Sequence, residues 1–338
     1  MLAEGNADFV ALGRSQLAEP AWAKKAKEGR ASDIKPCINC LIGCIDRGML
    51  SHTPIHCTVN PSLYRFECKP VEKAETRKQV AVVGAGPAGC EAALTASKRG
   101  HQVTIYEKRC IGGAMIEASK PENKANIKRL IHYYEDHIMH DPNITLVKEE
   151  VEYETLVHSG YDAVIIAVGG KTRILNVPGI EKNSVIYASD YLNGSTAVTG
   201  NTVVVIGGGI TGAETALELN AEGKKVTIVE MTDAFLANFS SACQAYLATI
   251  NETDIKILTG KRLTAVHENN VILTDRWGNE TTVPADSVVI AAGFTSQNEL
   301  SDKLEENTDM QVFNVGDSKR IRQIYDAIHE GFIAARQI

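Results

Sequence analysis

Seven short apolar runs punctuate the chain: VAVVG (80–84), VTIYE (103–107), AVIIAVGG (163–170), TVVVIG (202–207), VTIVE (226–230), SVVIAAG (287–293) and VFNVG (312–316). None alternates with polar residues, and each closes on glycine or glutamate. Strands of a parallel sheet, covered on both faces, produce such unbroken runs. A glycine-rich turn and a helical stretch separate the first run from the second: GAGPAG, then CEAALTASKRG. The same plan recurs over 201–230, as TVVVIG, GGITG, AETALELNAEGKK and VTIVE. The pattern predicts an α/β chain with an internally duplicated βαβ unit.

The flanks read differently. Residues 8–12 (DFVAL) are expected as a short buried strand, GRSQLAEP as a turn, and Trp22 to Lys27 as a helix. One strand and one helix bury little, so residues 1–30 read as the tail of a larger domain. Residues 31–67 are expected to be irregular, broken by Pro36, Pro54 and Pro61, and the charged stretch to residue 78 reads as a linker. A helix over IRQIYDAIHEGFIAARQI closes the chain.

Composition narrows the function. With 338 residues and 44% apolar content, the chain accommodates two domains of ordinary size. A net charge of -7 leaves no basic field and excludes a nucleic-acid partner. No apolar run approaches the roughly 18 residues of a membrane span. The start MLAEGNADFV lacks the charged and apolar regions of a signal peptide, so the cytoplasm is the expected location.

In the first fingerprint, Gly84 allows the tight turn, Gly86 lets backbone approach a pyrophosphate, and Gly89 lets helix and strand pack closely. Glu107, at the end of the next strand, would accept from ribose hydroxyls. As a plain turn the motif alone would be structural; the flanking strands and the acid favour nucleotide binding. The second fingerprint repeats this with Gly207, Gly209, Ile210, Gly212 and Glu230. The Glu230 carboxylate repels a 2′-phosphate, which argues for NAD. Glu214 is read either as reaching the nicotinamide or as a helix cap, and Asp317 either as accepting from a flavin's ribityl chain or as an N-cap.

Four cysteines, Cys37, Cys40, Cys44 and Cys57, lie in the spacing C-x2-C-x3-C-x12-C. In a chain that is not secreted, such spacing reads as metal ligands rather than disulfides. Four thiolates can hold zinc or an iron–sulfur cluster, and the arrangement of three close ligands and one distant one favours a 4Fe-4S cluster. Cys68, Cys90, Cys110 and Cys243 are isolated and read as small buried residues. No histidine pairing suggests a metal or a nucleophile triad, and His329 reads as a surface or packing residue.

Taken in order, ADFVALGR, IKPCINCLIGC, CTVNP, the two fingerprints and NVGDSKRIRQIYDAIHEGF resemble the C-terminal half of NADH:flavin oxidoreductases of the 2-enoate reductase, 2,4-dienoyl-CoA reductase and trimethylamine dehydrogenase type. The resemblance covers nearly the whole chain. It implies two nested Rossmann-like domains of the FAD/NAD-linked reductase type, preceded by an irregular cysteine-rich segment and the tail of a TIM barrel. FAD would occupy 79–192 with 294–338, and NAD(H) an inserted domain at 193–293, with hinges near Tyr191–Gly200 and Gly293–Asn298. The implied FAD contacts add Pro87, Ala88, Lys108, Gly112, Gly113, Val151, Gly169, Gly316 and Asp317; those for NAD add Gly293. The four cysteines match the 4Fe-4S ligands, and Gly13 with Arg14 matches a loop that holds an FMN phosphate. Almost the whole barrel is absent, so FMN is expected only in a full-length enzyme, as are the proton donor and the pocket for an unsaturated acid or thioester. No catalytic residue is then expected within this chain, except Glu214 near the nicotinamide. An NADH-dependent reductase of activated C=C bonds is the leading expectation. An amine dehydrogenase half with ADP or FAD in the first site, a non-catalytic electron-transfer subunit and, last, a disulfide reductase are the alternatives. A homo-oligomer is compatible with all of them.

Overall fold

The computed structural model describes residues 4–63, 70–237 and 240–338. The chain forms two compact units, one of Met1–Met115, Asn123–Gly169 and Gln297–Ile338, the other of Ile116–Glu122 and Gly170–Ser296.

Helices α1 (Arg14–Ala18) and α2 (Trp22–Lys27) and a π-helix (Ile42–Leu50) come first. The βαβ unit follows as β1 (Gln79–Val83), α3 (Pro87–Arg99) and β2 (Gln102–Tyr106). Then come α4 (Met115–Ala118), α5 (Ala125–His140), β3 (Ile144–Val147), α6 (Tyr153–His158) and β4 (Ala163–Ile166). The chain enters the second unit at β5 (Lys171–Thr172), continues through β6 (Val185–Tyr187) and α7 (Ala188–Leu192), and repeats the plan as β7 (Thr202–Ile206), α8 (Ile210–Ala221) and β8 (Lys225–Val229). Helix α9 (Ser241–Asn251) and β9 (Lys256–Leu258) lead into an antiparallel meander, β10 (Lys261–Val266), β11 (Asn270–Asp275) and β12 (Glu280–Pro284). Strands β13 (Ser287–Ile290) and β14 (Phe294–Thr295) precede the return to the first unit as α10 (Glu299–Asn307), β15 (Gln311–Asn314) and α11 (Ile324–Gln337).

The two main sheets are parallel and share one plan. Their orders are β15-β4-β1-β2-β3 and β6-β13-β7-β8-β9. Strands β4, β1, β2 and β3 thus correspond to β13, β7, β8 and β9, which establishes the duplication read from the apolar runs. The fifth strand breaks the symmetry: the first unit takes it from the end of the chain, the second from the segment before its own fingerprint. The central strands are sealed, Val80, Ala81 and Val82 at 0% exposure and Val203, Val204 and Val205 likewise. Each such valine contributes about 1.5–3 kcal/mol of burial free energy.

Several expectations need correction. Residues 8–12 form no strand, and Phe9 is 91% exposed, because a lone pentapeptide has no neighbouring ladder to join. The stretch 13–20 contains α1 rather than a simple turn. The cysteine segment is not wholly irregular, since Ile42–Leu50 is helical. The second unit takes in Ile116–Glu122 and Gly170–Ser296 rather than 193–293, since β6 pairs in the second sheet. Tyr191–Gly200 therefore lies inside the second unit, not at a hinge, whereas Gly293–Asn298 contains a unit boundary. Short strands beside the boundaries at 169/170 and 296/297 pair with each other, Phe294 with Thr172.

Candidate nucleotide and cysteine sites

The first fingerprint joins β1 to α3 by a turn that only glycine permits. Gly84 has φ +100°, and a Cβ there would fall 2.4 Å from the Ala167 carbonyl oxygen at the end of β4. A Cβ at Gly89 would fall 1.9 Å from the Gly84 oxygen, so this glycine seats α3 on its own turn. Gly86 is different: its nearest neighbour is the Cα of Gly113, 4.0 Å from a Cβ, so the backbone is open to approach. Gly112 donates its N–H to Ala85 O at 2.8 Å, bringing the Gly112–Gly113 turn over the fingerprint. Pro87 and Ala88 open α3, and no side chain caps it, which leaves its positive end for an anion.

Glu107 stands at the end of β2 with its carboxylate fixed. Oε2 accepts from Ala85 N at 2.8 Å and Oε1 from Arg109 N at 2.7 Å. Lys108 points out and pairs with Glu150 at 2.7 Å. Val151 is buried in the core with Tyr106 and Leu156, and Gly169 accepts at its carbonyl from Gln297 Nε2.

The second fingerprint reproduces this nearly atom for atom. Gly207 has φ +119° and faces the Ala291 carbonyl, and a Cβ at Gly212 would fall 1.9 Å from Gly207 O. Glu230 Oε2 accepts from Gly208 N at 2.7 Å, and Oε1 accepts from the N–H and the hydroxyl of Thr232, both at 2.8 Å. Gly209 has nothing within 4 Å of a Cβ, and α8 also begins uncapped by a side chain. Ile210, its first residue, packs on the core below, and Gly293 accepts at its carbonyl from Arg173 N. Glu214 is buried at 5% exposure within α8, so it is not the cap that one reading allowed.

The loop after β15 carries Gly316 and Asp317. Asp317 does not cap α11: Gln323 and Asp326 do so with a capping box, while Asp317 Oδ1 accepts from Arg322 N at 2.8 Å. Burial raises its carboxyl above the ordinary range, opposed by that N–H and the Arg322 guanidinium. Sequence reading missed Glu330, which accepts from Gly316 N at 2.8 Å and pairs with Arg322. The i, i+14 spacing across a helix start carries no local signal for it.

All four clustered cysteines line a single pocket, together with Arg14 of α1, Thr58 and the backbone of Gly43. Asn39 N donates to Cys37 Sγ at 3.5 Å, Ile42 N to Cys40, and the N–H groups of Val59 and Asn60 to Cys57. Backbone donors aimed at sulfur favour thiolates and tune a bound cluster. Burial pushes the thiols of Cys40 and Cys57 the other way, Cys57 up to about 11. Asn39 and Leu41, flanking Cys40, adopt left-handed backbone at φ +57° and +62°. For leucine this is costly, and such strain collects at ligand-holding turns. Among the described residues, no three His, Cys, Asp or Glu side chains converge on a single metal ion. Of the isolated cysteines, Cys90 and Cys243 are buried as expected, Cys110 is exposed against expectation in the turn before Gly112, and Cys68 lies outside the described residues.

The chain is similar to known oxidoreductases. The family model for pyridine nucleotide-disulphide oxidoreductase matches residues 78–331. NADH oxidase of Thermoanaerobacter brockii is 38% identical over 100% of this chain and 53% of its own length. Cinnamate reductase of Clostridium sporogenes is 31% identical over 99% of this chain and 50% of its own. The solved 2-naphthoyl-CoA reductase bound to 2-naphthoyl-CoA superposes with TM-score 0.91 at 30% identity, covering 100% of this chain and 51% of that one. The chain therefore spans about half the length of these relatives. It belongs to the pyridine nucleotide-disulphide oxidoreductase family, with a fold of the FAD/NAD type.

Proposed function

We propose that this chain is the NADH-oxidising half of an iron–sulfur flavoenzyme that reduces an activated C=C bond in an unsaturated acid or thioester. The first unit would hold FAD, the second NADH, and the four cysteines a 4Fe-4S cluster that feeds an FMN-bearing barrel. Bound FAD would supply the conversion between the two-electron chemistry of a nicotinamide and the one-electron chemistry of a cluster.

The observation that carries this reading is the presence, in one chain, of two matched nucleotide cradles and four thiols around one pocket. Each protein group has a defined task. The open backbone at Gly86 and at Gly209 admits a pyrophosphate beside an uncapped helix start, while Gly113, where a Cβ would fall 2.8 Å from Gly86 Cα, lets its turn close on the first fingerprint. Glu107 and Glu230, their carboxylates already oriented by backbone N–H groups, would accept from ribose hydroxyls through their remaining lone pairs. Glu230 would also repel a 2′-phosphate, so NADH is preferred to NADPH. Asp317, held by Arg322 N, would accept from the ribityl hydroxyls.

The test is NADH-dependent reduction of ferricyanide or a tetrazolium dye by the FAD-loaded chain. Dye reduction is expected, and it should survive Cys→Ser changes at Cys37, Cys40, Cys44 and Cys57, because NADH meets FAD before the cluster. Reduction of an enoate or dienoyl thioester by this chain alone would overturn the division of labour, and absence of any dye reduction would overturn the reductase reading.

A further inference from the structure

Three rings tie α11 to the cysteine segment. His329 is buried, and its Nε2 lies 2.9 Å from the Cys57 carbonyl oxygen. A carbonyl only accepts, so Nε2 carries the proton and donates. One turn earlier, Tyr325 stacks on His329 with ring centroids 4.1 Å apart, and its hydroxyl lies 2.7 Å from Nδ1 of His56. The backbone N–H of His56 donates to Gly43 O at 2.6 Å, where a Cβ on Gly43 would fall 2.8 Å from His56 O. His56 and Cys57 are thus held between α11 on one side and the turn carrying Cys40 and Cys44 on the other.

The opposite end of the segment is anchored too. Lys35, two residues before Cys37, pairs with Glu91 of α3 at 2.5 Å, and both side chains are nearly buried. Helices α3 and α11 are locked together, since a Cβ on Gly331 would fall 2.1 Å from Ala88 O. Cys37, Cys40 and Cys44 are near neighbours in sequence, the third at the start of the π-helix. Cys57 comes from a separate stretch, so its approach has to be enforced by contacts outside the segment.

We propose that His329, supported by Tyr325 and His56, is a positioning residue for Cys57. By holding the Cys57 backbone against α11, it sets how tightly the four thiols retain a four-iron cluster. This rests on the reading of the four cysteines as cluster ligands. Partners that orient a ligand residue without touching the metal typically change metal retention by about 10–100-fold when removed.

The test compares the chain with its His329→Gln and His329→Leu variants after anaerobic reconstitution with iron and sulfide. Iron per chain, the visible absorbance of the cluster and the rate of iron release to a chelator are measured, with flavin content and far-UV circular dichroism as reports of folding. Glutamine keeps an N–H donor; leucine keeps bulk without one. The native chain and the glutamine variant should hold about four irons, and the leucine variant should release them about 10–100-fold faster. Equal release from the native chain and the leucine variant would overturn the inference, and so would a glutamine variant as labile as the leucine one. Tyr325→Phe removes one hydroxyl and leaves the stack, so it carries the test if the leucine variant does not fold: faster release supports the proposal, the native rate overturns it. A native chain that takes up no four-iron cluster would overturn the cluster reading itself, and the inference with it.

Discussion

Two glycines of the second fingerprint, three residues apart, should fail in opposite ways when changed to alanine. At Gly212 a methyl group would sit 1.9 Å from the Gly207 oxygen and 3.0 Å from its carbonyl carbon, both backbone atoms of the same turn. Relief requires the strand and helix to separate by more than an ångström. Overpacking of this kind costs about 1–3 kcal/mol or more, which lowers the melting temperature by roughly 1–4 °C in a chain of this size. At Gly209 a methyl group meets nothing within 4 Å, and φ −81° with ψ −176° is backbone that any residue adopts. Gly209→Ala should therefore melt within about 1 kcal/mol of the native chain. Its methyl group would instead occupy the path by which a pyrophosphate approaches the helix start. NADH affinity should fall at least about tenfold, equivalent to about 1.4 kcal/mol. Differential scanning calorimetry and fluorescence titration with NADH separate the two. Native NADH affinity in Gly209→Ala would refute the assignment of the open backbone to the ligand, and equal destabilisation by both changes would refute the packing argument.

Glu230→Gln removes the charge that disfavours a 2′-phosphate, so the ratio of NADH to NADPH use in dye reduction should shrink. An unchanged ratio, or a native preference for NADPH, would count against the role given to Glu230. Glu91→Leu strands Lys35 and takes the acceptor from Tyr134, whose hydroxyl donates to Glu91 at 2.8 Å. Losing one partner of a buried pair costs about 3–5 kcal/mol, and a urea midpoint within error of native would exclude an anchoring role. At His101, burial, with help from Arg99 and Lys78, holds the imidazole pKa below the ordinary 6.5, against a small opposing pull from Asp162. Its Nδ1 accepts from Lys78 N at 3.2 Å and so stays unprotonated when folded. The unfolded chain then binds the extra proton, so stability is lost as pH drops below about 6.5, by up to about 1.4 kcal/mol per pH unit. His101→Gln should reduce the loss measured between about pH 7.5 and about pH 5.5, and an equal loss in both proteins would refute this.

The apolar runs announced both sheets because a parallel strand covered on two faces leaves no polar position to confuse the pattern. Glycine spacing and the acid 23 residues on located both cradles for a similar reason: the turn, the approach and the packing are all local. What stayed illegible is what distance in sequence hides. Strands β15 and β6 fill the same place in the two sheets but come from opposite ends of their units, and no periodicity encodes that choice. The anchors Lys35–Glu91 and His329–Cys57 join residues 56 and 272 positions apart. The run DFVAL misled because apolar character alone reads as a strand whether or not a neighbouring strand exists to pair with it. In the cysteine segment, prolines correctly marked broken structure, yet they bracket a π-helix whose longer turn carries Cys44.

The central claim is that one chain joins an NADH site, a flavin site and a four-thiol cluster site. It is tested most directly by anaerobic titration of the FAD- and iron-loaded chain with NADH, recording flavin and cluster absorbance together. The account predicts that flavin absorbance bleaches and cluster absorbance follows, with roughly three electrons taken up per chain, two in the flavin and one in the cluster. Flavin that NADH leaves oxidised, or a chain that takes up only two electrons while holding four irons, would contradict it.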